Sequence, residues 1–240
     1  KRTLGRTYLE YRRRVPGRFI PVWLWPRRRP LARYPYKNLV FKGGGMRGIA
    51  YIGALEVLDE EGLLGQIERV AGSSVGAVTA TLLSFGQPLT DTLALMNTLD
   101  YRRLPEVRGR HWPQGHHRRL SPWYAPCWRR LLLEYGWYSS EYAHTWLQDV
   151  IAQQCDGNRR ATFADFRSRG FRELYVVASN LTRRRAEVFS HRTTPDVAVA
   201  DAVRLSLSIP LYFEALRFDG QRLGDGDYYV DGGVYDNFPI

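Results

Sequence analysis

Cysteine is scarce in this chain, and long hydrophobic runs are absent from it. The 240 residues include two cysteines, Cys127 and Cys155. Two cysteines cannot build a disulfide framework, and their wide separation matches no zinc signature. No stretch approaches the roughly 18 consecutive apolar residues that a transmembrane helix needs. The sequence therefore excludes a disulfide-stapled scaffold, predicts no membrane-spanning helix and favours a cytoplasmic location.

Positive charge is in excess, and it is unevenly placed. The net charge is +11, of which residues 1–33 carry +10 and residues 101–130 carry +7, so the remainder is mildly acidic. Basic segments of this kind favour an anionic partner such as a phospholipid surface, a nucleic acid or an acidic protein. Solvated arginines that bind nothing are the alternative.

Two segments differ in composition from the rest. Residues 1–36 contain five prolines, too many for a long helix, and are predicted as an N-terminal extension. Trp23 and Trp25 lie there between arginine clusters, which suits contact with lipid headgroups or packing on the domain. Residues 101–138, rich in arginine and aromatic residues, are predicted as a weakly periodic insertion or cap. Residues 37–240 are predicted to form one domain.

Strand and helix patterns alternate within that domain. Residues 38–42 and 67–71 are predicted as buried strands, each followed by a glycine-containing loop and a helix. This alternation predicts an α/β fold with a parallel sheet. The later elements are predicted as a helix at 140–154 with Ser139 or Ser140 as N-cap, a strand at 173–179 with a partner at 186–190, a helix at 196–208 and a strand at 228–231.

The first loop, residues 43–48 (GGGMRG), allows two interpretations. Its glycines match the G-x-G-x-x-G pattern of dinucleotide sites, but that pattern also needs an acid at the end of the second strand, where the sequence has AGSS. Alternatively, the backbone N–H groups of such a loop at a helix N-terminus point at an oxyanion. Arg47 would add a full positive charge to that second arrangement.

The second loop, residues 72–76 (GSSVG), carries a candidate nucleophile. Ser74 lies between Gly72 and Gly76 on a predicted strand-to-helix turn. A nucleophile elbow has this pattern because the turn is tight and its serine backbone is strained. The pattern alone is common, but the preceding glycine loop would supply oxyanion donors for the same reaction.

A nucleophilic serine needs a base, and the histidines are poorly placed for one. His191 would serve only in a permuted triad. Asp231 ends a predicted strand just before Gly232 and Gly233, which would let its carboxylate lie against a backbone. Burial would raise the pKa of that carboxyl and so make it a stronger base. The sequence therefore favours Asp231.

Metal sites are not predicted. The run at residues 224–227 (GDGD) is predicted as a hairpin turn. His111, His116, His117 and Cys127 are the zinc alternative, but their spacing is irregular and solvated loop histidines are the simpler interpretation.

Three motifs occur in the order GGGMRG at 43–48, GSSVG at 72–76 and DGG at 231–233. Together they resemble the signatures of patatin-like phospholipases, and residues 200–210 and 236–239 are also similar to that family. The resemblance covers residues 38–240. It implies a three-layer α/β/α sandwich with a mostly parallel sheet, and it implies these site residues: Ser74 as nucleophile, Asp231 as general base, Gly44 and Gly45 as oxyanion donors, Gly43 and Arg47 as assistants, and Gly72 and Gly76 at the elbow.

The resemblance also implies the chemistry. Family members hydrolyse acyl esters of phospholipids, lysophospholipids or neutral lipids without calcium, so no metal or other cofactor is expected. An anionic membrane surface, reached by peripheral association, is the expected partner, and nucleic acid is not. A transacylase on the same scaffold and a non-catalytic membrane-binding module are the alternatives. Because the chain begins at Lys1 and stops at Ile240, just after the aspartate motif, we expect a fragment or a processed form.

Overall fold

The computed structural model describes residues 35–105 and 125–240. The strands in these ranges are β1 Asn38–Phe41, β2 Arg69–Ser73, β3 Gly136–Tyr138, β4 Glu173–Asn180, β5 Arg185–Phe189, β6 Leu211–Phe213, β7 Leu216–Phe218 and β8 Asp227–Asp231. The α-helices there are α1 Ala50–Glu60, α2 Val75–Ser84, α3 Leu89–Met96, α4 Ala125–Glu134, α5 Glu141–Gln154, α6 Phe163–Ser168 and α7 Val199–Leu207. Short 3₁₀ helices at Gly45–Ile49 and Gly232–Val234 precede α1 and follow β8.

The central sheet is mixed and mostly parallel, as predicted. Its six strands have the order β1-β2-β4-β8-β7, with β5 paired to β4. β1, β2 and β4 are parallel, β5 and β8 are antiparallel to β4, and β7 is antiparallel to β8. Four of the six strands, β1, β2, β4 and β7, therefore run in one direction. β3 and β6 form a separate parallel pair.

Helices flank the sheet and give the predicted α/β/α sandwich. α2 packs on β2 and β4, while α7 packs on β4 and β8 and contacts α5. α2 is buried from Gly76 to Ser84. Most of its residues are small or aliphatic, and the hydroxyls of Thr79, Thr81 and Ser84 donate to carbonyls of the same helix, so burial leaves these groups paired.

One edge of β4 holds two strands that meet end to end. β2 runs along the first part of β4, and its last residue, Ser73, pairs with Val177. β8 runs the opposite way along the last part, and its final residue, Asp231, pairs with Ala178. β5 pairs with both parts, so it occupies the other edge. Because Val177 and Ala178 are neighbours, the C-terminal ends of β2 and β8 come together.

Two elements differ from the prediction by two residues or more at an end. β2 runs two residues further than expected, since Gly72 and Ser73 continue its parallel pairing with β4. α7 begins at Val199 rather than near residue 196, because the carbonyls of Pro195 and Val197 accept hydrogen bonds from the start of α6. Both differences come from partners distant in sequence.

Ser140 is the N-cap residue of α5, but its side chain does not cap the helix. Its hydroxyl donates to Glu214 at 2.9 Å and accepts from Arg204 Nε at 3.0 Å. The Ser139 hydroxyl instead accepts the Glu141 N–H at 3.2 Å. The Ser140 hydroxyl, one of the two predicted for the cap, is therefore occupied by Glu214 and Arg204.

The described end of the predicted insertion is regular. Residues 125–138 form α4 and β3, and β3 pairs with β6, so this part belongs to the fold. Weak periodicity concealed both elements. Residues 1–34 of the predicted extension and residues 106–124 of the second basic segment, which include His111, His116 and His117, lie outside the described residues. In the described ranges, no helix is long and apolar enough to cross a bilayer.

Candidate active site

Ser74 occupies the turn between β2 and α2. Its backbone has φ 56° and ψ −130°, and its side chain is buried. This left-handed conformation is strained for a residue with a Cβ and costs on the order of 1–3 kcal/mol. Strain of this kind occurs at functional turns, and here it places the serine hydroxyl at the end of a strand.

Gly72 and Gly76 allow the chain to pack closely around this turn. A Cβ on Gly72 would lie 2.2 Å from the carbonyl oxygen of Gly76. A Cβ on Gly76 would lie 2.3 Å from the carbonyl oxygen of Phe41, at the end of β1. Since backbone cannot withdraw as a flexible side chain can, only glycine fits at either position.

Asp231 lies beside Ser74 because of the end-to-end meeting of β2 and β8. Its Oδ1 accepts the Gly233 N–H at 2.7 Å, while Oδ2 is buried and makes no hydrogen bond within the described residues. A Cβ on Gly233 would lie 2.9 Å from Oδ1. Gly233, two residues after Asp231, thus lets the carboxylate approach the backbone.

Burial raises the pKa of the Asp231 carboxyl above its ordinary value. The Ser74 hydroxyl and the Gly233 N–H oppose this rise by hydrogen bonding. The Ser74 hydroxyl therefore lies against the Asp231 carboxylate, whose Oδ2 has no hydrogen bond of ordinary geometry within the described residues. Catalytic pairs are often loose before substrate binds. The arrangement provides a hydroxyl and a carboxylate with enhanced basicity.

The glycine loop supplies two open donors. Within the described residues, neither the Gly44 N–H nor the Gly45 N–H donates a hydrogen bond. Gly45 has a left-handed φ of 53° and borders a large cavity beside Ser74. The exposed Arg47 extends from the same turn, and its backbone N–H bonds to the Gly44 carbonyl. These groups lie at the N-terminal end of the helical segment that leads into α1.

Gly43 does not fit the predicted oxyanion role. Its N–H donates to the carbonyl of Asn237 at 3.0 Å, so it is not free for a ligand. A Cβ on Gly43 would lie 2.3 Å from Asn237 Oδ1 and 3.1 Å from the Ser74 Cβ. We therefore correct its role to close packing. Asn237 lay in a segment noted in the sequence, but nothing there indicated this contact.

An apolar cavity of about 380 Å³ opens beside Ser74. α2 contributes Val78 and Leu82 to its wall, at intervals of four residues from Ser74, so one helix face leads inward from the hydroxyl. Most of the remaining wall is apolar, including Met96, Leu99, Trp146, Leu147, Leu207 and Phe213. The cavity suits a long apolar group attached at the serine.

Histidine does not serve the site in the described ranges. His191 lies with Glu173, which begins β4, and so it stands at the end of that strand away from Ser74. The alternative triad with His191 is therefore wrong. His144 is buried, with Nε2 2.8 Å from Asp201. No group of three His, Cys, Asp or Glu side chains in these ranges is placed to hold a metal ion.

Ser206 contacts the elbow, although no local pattern in the sequence indicates a role for it. The Ser74 N–H donates to the Ser206 hydroxyl at 2.8 Å. Two residues on, the Ser208 carbonyl accepts the Asp231 N–H at 2.8 Å. The similarity noted at residues 200–210 could have drawn attention to Ser206, but the contact itself depends on tertiary packing.

The mixed α/β sandwich thus brings a strained serine turn and a buried aspartate together next to a glycine-rich loop. A family model described as patatin-like phospholipase matches residues 39–240. The chain belongs to the patatin-like phospholipase family.

Individual relatives agree with this assignment. The chain is 34% identical over 211 residues to the uncharacterized protein YqhO of Bacillus subtilis, covering 85% of this chain and 66% of that protein. It is 30% identical over 205 residues to the probable lipid hydrolase 463L of Invertebrate iridescent virus 6, covering 85% and 62%. The chain thus spans less than two thirds of the length of these relatives.

A solved structure supports the fold. VipD from Legionella pneumophila superposes with a TM-score of 0.59 at 22% identity, over 86% of this chain and 47% of that one.

Proposed function

We propose that the chain is a lipid acyl hydrolase that cleaves fatty-acyl esters of phospholipids or lysophospholipids through a Ser74–Asp231 dyad. One observation carries the proposal: the buried Asp231 carboxylate lies against the Ser74 hydroxyl where β2 and β8 meet, next to the apolar cavity. Membership of the patatin-like phospholipase family and the similarity to a probable lipid hydrolase support it.

The reaction proceeds in two steps. Ser74 Oγ attacks the acyl carbonyl while Asp231 takes its proton, and the Gly44 and Gly45 N–H groups stabilise the oxyanion. The lyso-lipid or glycerol oxygen leaves with that proton, and an acyl-serine remains. Water, deprotonated by Asp231, then attacks the acyl-serine, and the fatty acid is released as Ser74 Oγ takes that proton back from Asp231. One oxyanion donor typically lowers the barrier by about 3 kcal/mol.

A carboxylate is normally a weak base for a serine. Burial raises the pKa of the Asp231 carboxyl, so the gap between this pKa and that of the serine hydroxyl becomes smaller. The chain's own residues thus supply nucleophile, base and oxyanion donors, so we propose that the reaction proceeds without calcium. Arg47, an exposed residue of the glycine loop, would assist with lipid phosphate or oxyanion charge.

The experiment that tests this function is mass spectrometry of the products from a mixed phospholipid pool. We expect free fatty acids and lysophospholipids from the unmodified protein and neither from Ser74→Ala. Adding an acceptor alcohol separates hydrolysis from transacylation, since a new ester would reveal transfer. Unaltered phospholipids with either protein would refute the hydrolase.

The cavity predicts that one acyl chain is selected by length. Leu82 lies eight residues beyond Ser74 on α2, about 12 Å along the helix axis. Leu82→Trp would fill the inner end, so long acyl chains would lose about 0.8 kcal/mol for each methylene excluded. We expect kcat/KM to fall for long-chain esters and to stay unchanged for short-chain ones. An equal loss for all chain lengths, at unchanged melting temperature, would contradict this assignment.

The surface near the cavity mouth supports peripheral membrane association. Met46 and Tyr212 line the cavity yet remain exposed, and the adjacent Leu211 is 67% exposed. Leu211 also holds a φ of 66°, an outlier for a bulky side chain. Exposed apolar side chains around a lipid-sized opening suit insertion into a bilayer. The basic segments, largely outside the described residues, would add attraction to anionic headgroups.

Leu211→Asn tests this surface. Asparagine tolerates positive φ and is polar, so the fold should persist while contact with acyl chains is lost. We expect vesicle binding to weaken by about tenfold and hydrolysis of a soluble short-chain ester to remain. Val188→Asn is the matched control, because Val188 is 42% exposed on β5, on the opposite edge of β4 from the site. Equal vesicle binding by both variants would argue against membrane contact at Leu211.

A further inference from the structure

Ser206 of α7 is buried between the central sheet and the elbow. Its side chain has no exposure to solvent, and its hydroxyl donates to the Val177 carbonyl of β4 at 2.6 Å. A hydroxyl has a single proton, so this bond leaves only acceptor lone pairs for other partners. One of them receives the Ser74 N–H at 2.8 Å. The hydroxyl is therefore oriented from both sides.

The Ser74 N–H needs such a partner. The register of β2 on β4 ends at Ser73 and Val177, so the ladder provides no acceptor for the next residue. Ser74 then turns into its left-handed conformation and begins α2. A buried N–H without an acceptor is costly, and a strained backbone persists only where its surroundings hold it. Ser206 connects Val177 to the Ser74 amide across this gap.

The same helix end holds the other member of the dyad. The Ser208 carbonyl accepts the Asp231 N–H at 2.8 Å. Residues 206–208 are thus bonded to the backbones of both Ser74 and Asp231, and the separation of the dyad depends on this short segment. Leu207, between the two contacts, lines the apolar cavity.

We propose that Ser206 is a positioning residue, whose hydroxyl holds the Ser74 backbone in its left-handed conformation and so keeps the nucleophile aligned with Asp231. The proposal rests on the proposed function and extends it to a residue that touches neither substrate nor the reacting atoms.

The test compares Ser206→Ala with Ser84→Ala. Ser84 is equally buried, and its hydroxyl donates to the Thr81 carbonyl at 2.6 Å at the other end of α2. Each variant loses one buried hydroxyl, but only Ser206→Ala leaves the Ser74 N–H unpaired. We expect Ser206→Ala to lower kcat for a soluble ester by about 10²-fold with KM unchanged. Its rate of covalent labelling by a fluorophosphonate, which reacts with the serine itself, should fall in parallel.

Ser84→Ala should keep the unmodified rates, and equal losses in the two variants would overturn the proposal. Ser206→Cys retains a weak donor and acceptor at similar volume, so its labelling rate should lie between those of Ser206→Ala and the unmodified protein. If Ser206→Ala does not fold, Ser206→Cys takes its place in the comparison with Ser84→Ala. Wild-type labelling in the cysteine variant would then count against positioning.

A crystal structure of Ser206→Ala, or of Ser206→Cys if only that variant folds, decides the matter without any activity. We expect Ser74 to leave its positive φ in the alanine variant and to shift in the cysteine variant. An unchanged Ser74 backbone would overturn the proposal. Failure of the proposed function gives a different result, since the unmodified protein would then neither hydrolyse esters nor react with the fluorophosphonate.

Discussion

Ser74→Ala is expected to lower kcat for ester hydrolysis on the order of 10⁴-fold or more. The reason is that no acyl-enzyme can form without Oγ, while the cavity and the glycine loop still bind substrate. The fold should be unaffected, because alanine retains the backbone contact to Ser206. Steady-state rates on phospholipid vesicles and on a soluble ester measure the effect, and fluorophosphonate labelling should disappear with them.

Ser74→Gly is the matched control. It also removes Oγ, but glycine adopts positive φ without the penalty that the serine incurs. We expect it to be as inactive as Ser74→Ala and to be more stable by about 1 kcal/mol in its free energy of unfolding. Denaturant unfolding of both variants measures this difference. Activity retained by either variant would show that Ser74 is not the nucleophile. Equal stabilities of the two variants would contradict backbone strain at the elbow.

Asp231→Asn is expected to reduce kcat by about 10⁴-fold, since asparagine has the same shape but cannot take a proton. Its carbonyl oxygen can still accept the Gly233 N–H, so the local backbone should remain in place. In the unmodified protein, kcat/KM should fall as the pH drops and Asp231 becomes protonated. The midpoint should lie above the ordinary aspartate range, because burial raises the pKa of this carboxyl.

Asp231→Asn is also expected to change how the stability of the fold depends on pH. A raised pKa means that folded Asp231 keeps its proton to higher pH than the unfolded chain does. Folding of the unmodified protein therefore loses stability as the pH rises through this range, whereas Asp231→Asn does not. Melting temperatures against pH should show Asp231→Asn as the more stable protein at neutral pH, with the gap closing in acid.

Asp231→Glu serves as the control for geometry, because it keeps the charge but moves the carboxylate. We expect it to be poorly active and without the stability gain of Asp231→Asn. A fully active Asp231→Asn would refute the general base, and a stability gap that does not depend on pH would refute buried charge as its cause.

The local parts of the site could be predicted from the sequence. A strand, a glycine-containing loop and a helix follow one another at 38–60 and again at 69–84, so a turn at each loop was evident from short-range patterns. The glycines at 72 and 76 then indicated a tight elbow around Ser74. Asp231 was selected because it precedes two glycines at a strand end. Each of these inferences needs only neighbouring residues.

Other features could not be predicted, because they depend on partners far apart in the chain. The Gly43 N–H donates to the carbonyl of Asn237, which lies near the other end of the domain's sequence. Gly43 is therefore not free to act as an oxyanion donor. The Ser140 hydroxyl donates to Glu214 and does not cap its own helix. α4 and β3 were hidden in an arginine-rich segment of weak periodicity, and β3 is stabilised by pairing with β6.

The sequence by itself determined which groups are available: a serine on a tight turn, a glycine-lined helix start and an aspartate at a strand end. Tertiary structure alone decided that they meet. β2 and β8 end at adjacent residues of β4, and residues 206–208, at the C-terminal end of α7, bond to both Ser74 and Asp231. Side-chain chemistry is a local property of a chain, but the separation of two groups 157 positions apart is set by strand register and helix packing.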